Sequence, residues 1–307
     1  MKRALIVGKG LIGKELQKQL EGIGVTSTFF TSKNPRHTFS EKAQQADVVF
    51  IAISTKDRGQ IALAYIIEAI ALKRPVVTCE KGALAYNFQA LRDSLPKIGF
   101  NAAIGGGCGM LDMLRGKTDK VVLLHAVLNG TLNHLFSTHD PTIGIEASLA
   151  NAQTLGLCEP GGGSNITRVV KRELTDILWK MTLLTNVLLI DAHTAPITPE
   201  SFTYSHIDDY DIPALLASGK RFVVSILKKR IRPPQPGISA LIDGLVIHGG
   251  FVHQKEIPFF PFPYGAGNLL RCEFSNNTME MIGGIGAGAT PTARRMIEDA
   301  KILIKNR

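Results

Sequence analysis

"RALIVGKGLIGKELQKQLEGIG", residues 3–24, decides the fold. "RALIVG" is a short β-branched apolar run that reads as a buried strand, and "IGKELQKQLEGIG" reads as a helix. Gly8, Gly10 and Gly13 stand between them as GxGxxG. In such a turn the first glycine permits the tight bend and the second lets a pyrophosphate approach the backbone. The third lets helix and strand pack closely, and the helix N-terminus faces the phosphates. Glycines alone often do no more than accommodate a turn. Placed in the first βαβ unit, these mark Gly8, Gly10, Leu11, Ile12 and Gly13 as cofactor-binding candidates.

The alternation continues outward. "TSTFF" reads as the next strand, followed by "DVVFIAIS" (47–54), a helix over 59–72, "RPVVTC" (74–79) and a strand end at "GFNAAIGG" (99–106). Strands alternating with helices argue for a parallel sheet with right-handed crossovers. After about residue 120 the pattern changes. "KVVLLHAVLNG" (120–130) reads as a long strand, followed by helical stretches over 142–156 and 166–189. Strands then group at 221–230, 238–248, 268–275 and 278–284, which predicts an antiparallel α+β domain. "KKRIRPP" (228–234) reads as the solvated end of a hairpin, and a helix over 291–305 closes the chain. The fold class is therefore α/β: an N-terminal Rossmann-type dinucleotide-binding domain with a second α+β domain.

A carboxylate ending the second strand would recognise the ribose 2′-hydroxyl of NAD. Here "FFTSKNPRH" follows, with no carboxylate between Glu21 and Glu41. Thr31, Ser32, Lys33 and Arg36 offer hydroxyls and positive charge for a 2′-phosphate, which favours NADP over NAD. Ser54 and Thr55, ending the third strand, join the cofactor candidates.

Composition excludes several classes. The hydrophobic content of 45% suits a packed globular protein, and no apolar run is long enough to span a bilayer. "MKRALIVGKG" runs into glycines too early for a signal peptide. The four cysteines are scattered without CxxC spacing, which argues for reduced thiols, a cytoplasmic setting and no zinc site. The formal charge of +9 is spread along the chain. Nucleic acid is one candidate partner, but a phosphate-rich cofactor and an anionic small substrate fit such a diffuse field as well. Charge alone decides little, so no nucleic-acid partner is expected from it. Neither HExxH nor GxSxG occurs among the eight histidines and the serines.

"TDILWKMTLL" (175–184) puts a lysine into an apolar helix. Leu174, Ile177, Leu178, Met181, Leu184 and Leu188 form one stripe, with Lys180 at its edge and Asp176 one turn before it. A lysine in such a place often snorkels to water or forms a structural ion pair. Among apolar side chains its charged form is also disfavoured, which a carboxylate nearby opposes, and this suits a proton donor and acceptor.

Several stretches together resemble the homoserine dehydrogenase family. "VVTCEKGALA" (76–85) is similar to its strand–turn–lysine segment, with Glu80 where asparagine is usual and Lys81 matching. "AAIGGGCGML" (102–111) resembles its glycine-rich loop, "LNGTLNHL" (128–135) its LNGTxNxxL, and "ANAQTLGLCEP" (150–160) the helix leading to Glu-Pro. "DILWK" supplies DxxxK, while "APITPES" (195–201) and "GIGAGATPTA" (284–293) resemble later segments. One departure stands out: "EPGGGSNITRVVKRELTD" is longer than the family's stretch and free of aspartate until Asp176. A substrate-side carboxylate is missing there or supplied differently, for instance by Glu173.

The resemblance implies reversible hydride transfer between homoserine and aspartate 4-semialdehyde, in threonine and methionine synthesis, by a cytoplasmic homodimer. It implies Lys180 as the proton donor and acceptor, with Asp176 beside it, and Lys81 near the reacting oxygen and nicotinamide. Glu159 would bind the substrate's α-ammonium. Thr131 would hydrogen-bond substrate or cofactor, although alone it suits an N-cap. Gly286 and Ala287 would meet the cofactor before the last helix returns, so domain one is expected over 1–125 with 285–307, and domain two, for substrate binding and dimerisation, over 126–284. In some relatives carbonyls of the glycine loop hold Na⁺ or K⁺. The matching positions are Ile104, Gly106 and Cys108, but Asn101 stands where the family has glutamate. The alternatives are a related NAD(P)-dependent dehydrogenase of another small amino acid or aldehyde, and a non-catalytic NADPH-binding protein.

Overall fold

Five short apolar runs pair in parallel as β1 (Arg3–Val7), β2 (Thr26–Phe30), β3 (Val48–Ile51), β4 (Val76–Thr78) and β5 (Ile98–Gly99), in the order β2-β1-β3-β4-β5. Between them lie α1 (Leu11–Glu21), α2 (Phe39–Gln45), α3 (Gln60–Ala71) and α4 (Gly82–Leu91). β1, β3 and β4 are buried along almost their whole lengths, because a parallel sheet of this kind is covered on both faces. Leu16 and Leu20 of α1 pack with Ala293, Met296 and Ala300 of the C-terminal helix (Ala289–Lys305) on Ala4, Ile6, Val48 and Phe50. The last helix thus begins two residues before its expected start and completes the core of the first unit. After β2 the chain crosses back over β1 to reach β3, so the strand order reverses at β1. Doubly wound sheets open a crevice at such a point, outside the carboxyl ends of the strands.

The structure is a computed structural model describing residues 1–157, 165–190, 194–205, 210–228, 237–242 and 244–305. The chain divides into two compact units, Met1–Gly109 with Ala289–Arg307, and Met110–Gly288. The division at Gly109 precedes the boundary expected at 125, because β6 (Val121–Val127) belongs to the second sheet, paired with the strands Gly267–Phe274 and Arg221–Lys228.

In the second unit α5 (Met110–Leu114) precedes β6, and α6 (Gly130–Thr138), α7 (Gly144–Thr154) and α8 (Ile166–Leu188) follow it. Then come β7 (Thr203–Ser205), α9 (Ile212–Ala217), β8 (Arg221–Lys228), β9 (Gly237–Ile242), β10 (Leu245–Val252), β11 (Gly267–Phe274) and β12 (Met279–Ile285). All pairs in this seven-stranded sheet are antiparallel, in the order β12-β11-β6-β8-β10-β9-β7. The single strand expected over 238–248 is instead a hairpin of β9 and β10. Gly244, at φ +77°, makes the reversal in an Asp-Gly pair that the flanking β-branched residues disguise. β8 and β9 both flank β10, so they do not form the hairpin expected around 228–234; residues 229–236 themselves lie outside the described residues.

His125 of β6 sits opposite Ser225, with Nδ1 2.8 Å from its hydroxyl, and packs on Phe260. Burial, and then the Arg271 guanidinium, push its pKa from the ordinary 6.5 down to about 4. Burial moves His134 and His248 in the same direction. Below pH 6.5 the unfolded chain takes up protons that these folded rings refuse, so stability falls as pH drops from 6.5 toward 4. The urea midpoint is expected to fall from neutral to mildly acidic pH, and to fall less steeply in His125→Gln.

Candidate active site

At the reversal point of the first sheet a groove of about 710 Å³ opens, lined by Gly8, Gly10, Ser32, Lys33 and Ser54, together with Lys9, Thr31 and Lys56. Each glycine of the turn has a distinct physical reason. Gly8 holds φ +104°, and a Cβ there would lie 2.4 Å from the Ala52 carbonyl oxygen. A Cβ on Gly13 would lie 2.2 Å from the Gly8 carbonyl oxygen, so any side chain would push α1 off the strand. Gly10 faces open space and caps α1 without a side-chain hydrogen bond, leaving the first N–H groups of the helix for a ligand. Leu11 is exposed and Ile12 half-buried at the head of α1.

The lining carries lysines but no carboxylate. Lys9, whose Nζ stands 5.3 Å from the Phe29 ring centroid, and Lys56 were not singled out from sequence, because surface lysines carry no periodic signal. Arg36 does not line the groove. It pairs with Glu68 at 2.5 Å and stacks 4.4 Å from the Tyr65 ring centroid.

Glu80 ties Thr55 to the head of α4, where Lys81 stands. This carboxylate is 2% exposed and accepts the Thr55 hydroxyl and the N–H groups of Gly82 and Ala83, both at 2.8 Å. It therefore supplies the first turn of α4 with acceptors, and Lys81 stands half-buried at the head of that helix. Farther along, Gly105, Gly106 and Gly109 hold φ of 74°, 58° and 70°, as the tight loop between Ile104 and Met110 requires. Asn101 donates its side-chain amide to Asp299 Oδ1 at 2.7 Å and its backbone N–H to Oδ2 at 3.0 Å. Its carbonyl accepts the Ile104 N–H. Position 101 thus ties the loop to the C-terminal helix and brings no carboxylate to the carbonyls of Ile104, Gly106 and Cys108. Among the described residues no His, Cys, Asp and Glu cluster could hold a metal ion.

In the second unit the chemistry gathers where β6 passes into α6. Lys180 is buried on α8 and donates to the Leu128 carbonyl at 2.7 Å, while Asp176 Oδ2 lies 2.7 Å from its Nζ. The Asn129 amide nitrogen donates to Asp176 Oδ2 at 2.9 Å and to Glu173 Oε2 at 2.8 Å. Asn129 Oδ1 accepts the Leu132 N–H at 2.7 Å, so Asn129, not Thr131, caps α6. The Thr131 hydroxyl donates to the Leu157 carbonyl at 2.7 Å. Gly130 and Gly286 mark close backbone approaches around this turn. A Cβ on Gly130 would meet the Ala266 carbonyl at 2.6 Å and the Ala287 Cβ at 3.0 Å. One on Gly286 would meet Asn268 Cγ at 2.0 Å. Gly286 and Ala287 are thereby placed beside Gly130 and Asn268. Glu159 lies outside the described residues.

A family model described as homoserine dehydrogenase matches residues 110–300, more than half of the chain. The chain belongs to the homoserine dehydrogenase family. It is 26% identical over 156 residues to a homoserine dehydrogenase of Methanocaldococcus jannaschii, covering 48% of this chain and 45% of that protein. It is 24% identical over 255 residues to one of Bacillus subtilis, covering 79% and 54%. The chain thus spans about half the length of the curated relatives it matches. Among solved structures, the homoserine dehydrogenase of Thermoplasma acidophilum has a TM-score of 0.72 at 16% identity, covering 99% of each chain. A hyperthermophilic archaeal homoserine dehydrogenase in complex with NADPH has a TM-score of 0.63 at 14% identity, covering 100% of this chain and 99% of that one. These likenesses establish the shared fold, with a Rossmann-type first unit and an antiparallel sheet in the second.

The Lys180 side chain is 7% exposed, so its charge depends on its carboxylate partner. Asp176→Asn keeps the shape and removes the charge. It is expected to lower unfolding free energy by about 3 kcal/mol, measured by urea denaturation near neutral pH.

Proposed function

We propose that the chain interconverts homoserine and aspartate 4-semialdehyde by hydride transfer with a nicotinamide dinucleotide, in threonine and methionine synthesis. One observation carries the reading: in a chain of this family, a buried ammonium is anchored between a carboxylate and a backbone carbonyl, beside the Asn129–Thr131 turn. The cofactor, bound in the groove of the first unit, supplies or accepts the hydride. Gly8, Gly10 and Gly13 let its pyrophosphate approach the uncapped N-terminus of α1.

When the aldehyde is reduced, negative charge grows on its carbonyl oxygen. Lys180, as the ammonium, stabilises that oxygen and gives it a proton; in the oxidation direction the neutral amine takes the alcohol proton. Asp176 orients the nitrogen and favours its charged form between turnovers, and the Leu128 carbonyl fixes its place. Lys81 adds positive charge for the same oxygen and for the nicotinamide. Thr131, with its hydrogen committed to Leu157, still offers lone pairs to a donor on the substrate. Glu159 is the partner proposed for the substrate's α-ammonium.

NADP is the preferred cofactor. Ser32 and Lys33 line the groove beyond β2 with no carboxylate beside them, which favours a 2′-phosphate over a bare 2′-hydroxyl. A Na⁺ or K⁺ on the carbonyls of Ile104, Gly106 and Cys108 belongs to the same reading, and Asn101, engaged with Asp299, would add no charge to it. Assembly as a cytoplasmic homodimer through the second sheet belongs to the same reading. It is supported by the exposed apolar side chains of Leu241, Met279, Met281 and Ile285 on β9 and β12.

Following NADPH absorbance with aspartate 4-semialdehyde tests the activity directly, and a panel of related aldehydes separates it from the neighbouring dehydrogenase reading. Lys180→Ala is expected to lower kcat by about a hundredfold to ten-thousandfold while the protein still binds NADPH. Normal turnover in that variant overturns the proton-transfer role. Lys33→Ala is expected to raise KM for NADPH about tenfold and to leave KM for NADH unchanged. Equal effects on both cofactors would remove the 2′-phosphate assignment.

A further inference from the structure

The loop after β3, which forms one wall of the groove, is held in an unfavourable shape. Asp57, Arg58 and Gly59 stand at φ 47°, 51° and 80°, three successive residues in the left-handed region. Glycine adopts that region freely, whereas aspartate and arginine are disfavoured there, and L-residues visit it singly rather than in runs. Such a turn persists only where its surroundings over-determine it.

The ties that hold this turn lead to the head of α4. A Cβ on Gly59 would stand 2.0 Å from the Ala83 nitrogen, and one on Gly82 would stand 2.4 Å from Thr55 Cγ2. The Arg58 guanidinium lies 5.5 Å from the Tyr86 ring centroid. The polar tie is Glu80, which is buried and does not line the groove. Its Oε1 accepts the Thr55 hydroxyl and the Gly82 N–H, and its Oε2 accepts the Ala83 N–H. A side-chain amide at this position has a single acceptor oxygen, and its N–H₂ would face one of these donors. A carboxylate satisfies all three.

The chain entering the turn is extended, with Lys56 at φ −135° and ψ 149°, so successive side chains point to opposite sides. Ser54 and Lys56 are exposed and line the groove. Thr55 between them is half-buried and turned to Glu80. Fixing Thr55 therefore fixes the two groove-lining residues on either side of it.

We infer that Glu80 is a positioning residue for the dinucleotide: through the Thr55 hydroxyl it holds the 55–59 turn in its left-handed shape and keeps Ser54 and Lys56 in place on the groove wall before the cofactor arrives. This rests on the reading of the groove as the dinucleotide site. Glu80 acts by pre-organisation, so its effect falls on cofactor affinity and on the stability of the turn in the unliganded protein.

Thr55→Val removes the hydroxyl and keeps the shape, while Thr55→Ser keeps the hydroxyl. NADPH affinity is measured by fluorescence titration of the full chain. Amide hydrogen exchange without cofactor is followed at Gly59 and Gln60, whose N–H groups close the turn on the Lys56 and Asp57 carbonyls. Thr55→Val is expected to raise Kd for NADPH about fivefold to tenfold and to speed exchange at both amides. Thr55→Ser is expected to lie closer to the wild type in both measurements. Glu80→Met has no acceptor, so adding Thr55→Val to it is expected to change Kd by less than about twofold, whatever the lost charge itself does. Unchanged Kd in Thr55→Val, equal losses in Thr55→Val and Thr55→Ser, or full additivity in the double variant each overturns the inference. Faster exchange without weaker binding overturns it too, because the tie would then be structural alone. If Glu80→Met does not fold, the two Thr55 variants decide. A wild-type chain that binds no NADPH refutes the parent reading instead, and that result is seen before any variant is made.

Discussion

An ammonium group in a protein interior stays charged only if the fold supplies oxygen atoms to replace its water. Leu128 and Asp176 each bring one to Lys180, by different routes. Asp176 comes from the same helix, one turn away, and needs nothing more than the regular geometry of α8. The Leu128 carbonyl comes from the end of β6, fifty-two residues earlier in the chain, and exists as a partner only once helix and sheet have packed. The tie therefore couples the placement of the charged nitrogen to the register of α8 on the sheet. A shift of the helix by one residue would move Lys180 off the carbonyl and turn Asp176 away from Asn129. The stripe of Leu174, Ile177, Leu178, Met181 and Leu184, all buried, holds that register.

Asn129 extends the constraint. Its side chain saturates three contacts at once: the first turn of α6, Glu173 and Asp176. Because both hydrogens of the amide are used, its orientation is fixed and the two carboxylates are held apart by a neutral group. No other side chain of that size combines an acceptor for the helix cap with two donors for the carboxylates; an aspartate would bring a third negative charge.

Whatever depended on local chain geometry was legible in the sequence. Gly8 and Gly13 announced the first junction because each answers a local steric demand, with Gly10 between them completing the GxGxxG spacing. Lys180 and Asp176 were found because four residues bring them to one helix face. Contacts between distant segments were hidden. Asn129 and Glu173 lie forty-four residues apart, and no periodicity links them. Thr131 suited an N-cap as well as Asn129 does, since both are good capping residues in one turn. Glu80 registered as an unusual residue beside Lys81, but its capping of α4 and its bond to Thr55 required the positions of two loops. The β9–β10 reversal was missed because "ISALIDGLVIH" is almost continuously apolar, and the Asp-Gly signal was outweighed by its neighbours.

Three of the strand-to-helix junctions can be set side by side, and their differences bear on where a ligand anion belongs. At β6–α6 the helix N-terminus is closed by Asn129, and at β4–α4 by the Glu80 carboxylate. Both leave fewer N–H groups for an external acceptor, and Glu80 would repel an anion as well. At β1–α1 the cap is Gly10, with no side chain to accept, no acidic residue in the first turn and lysines lining the adjacent groove. The partial positive charge of that helix end is left uncompensated by the protein. A capped N-terminus is usually the more stable choice, and the uncapped one at the reversal point of the sheet leaves its N–H groups open to an external acceptor. Gly10 is the one glycine of the three with open space where a Cβ would stand. A side chain there would meet no part of the protein; in the proposed function it would stand in the way of the pyrophosphate.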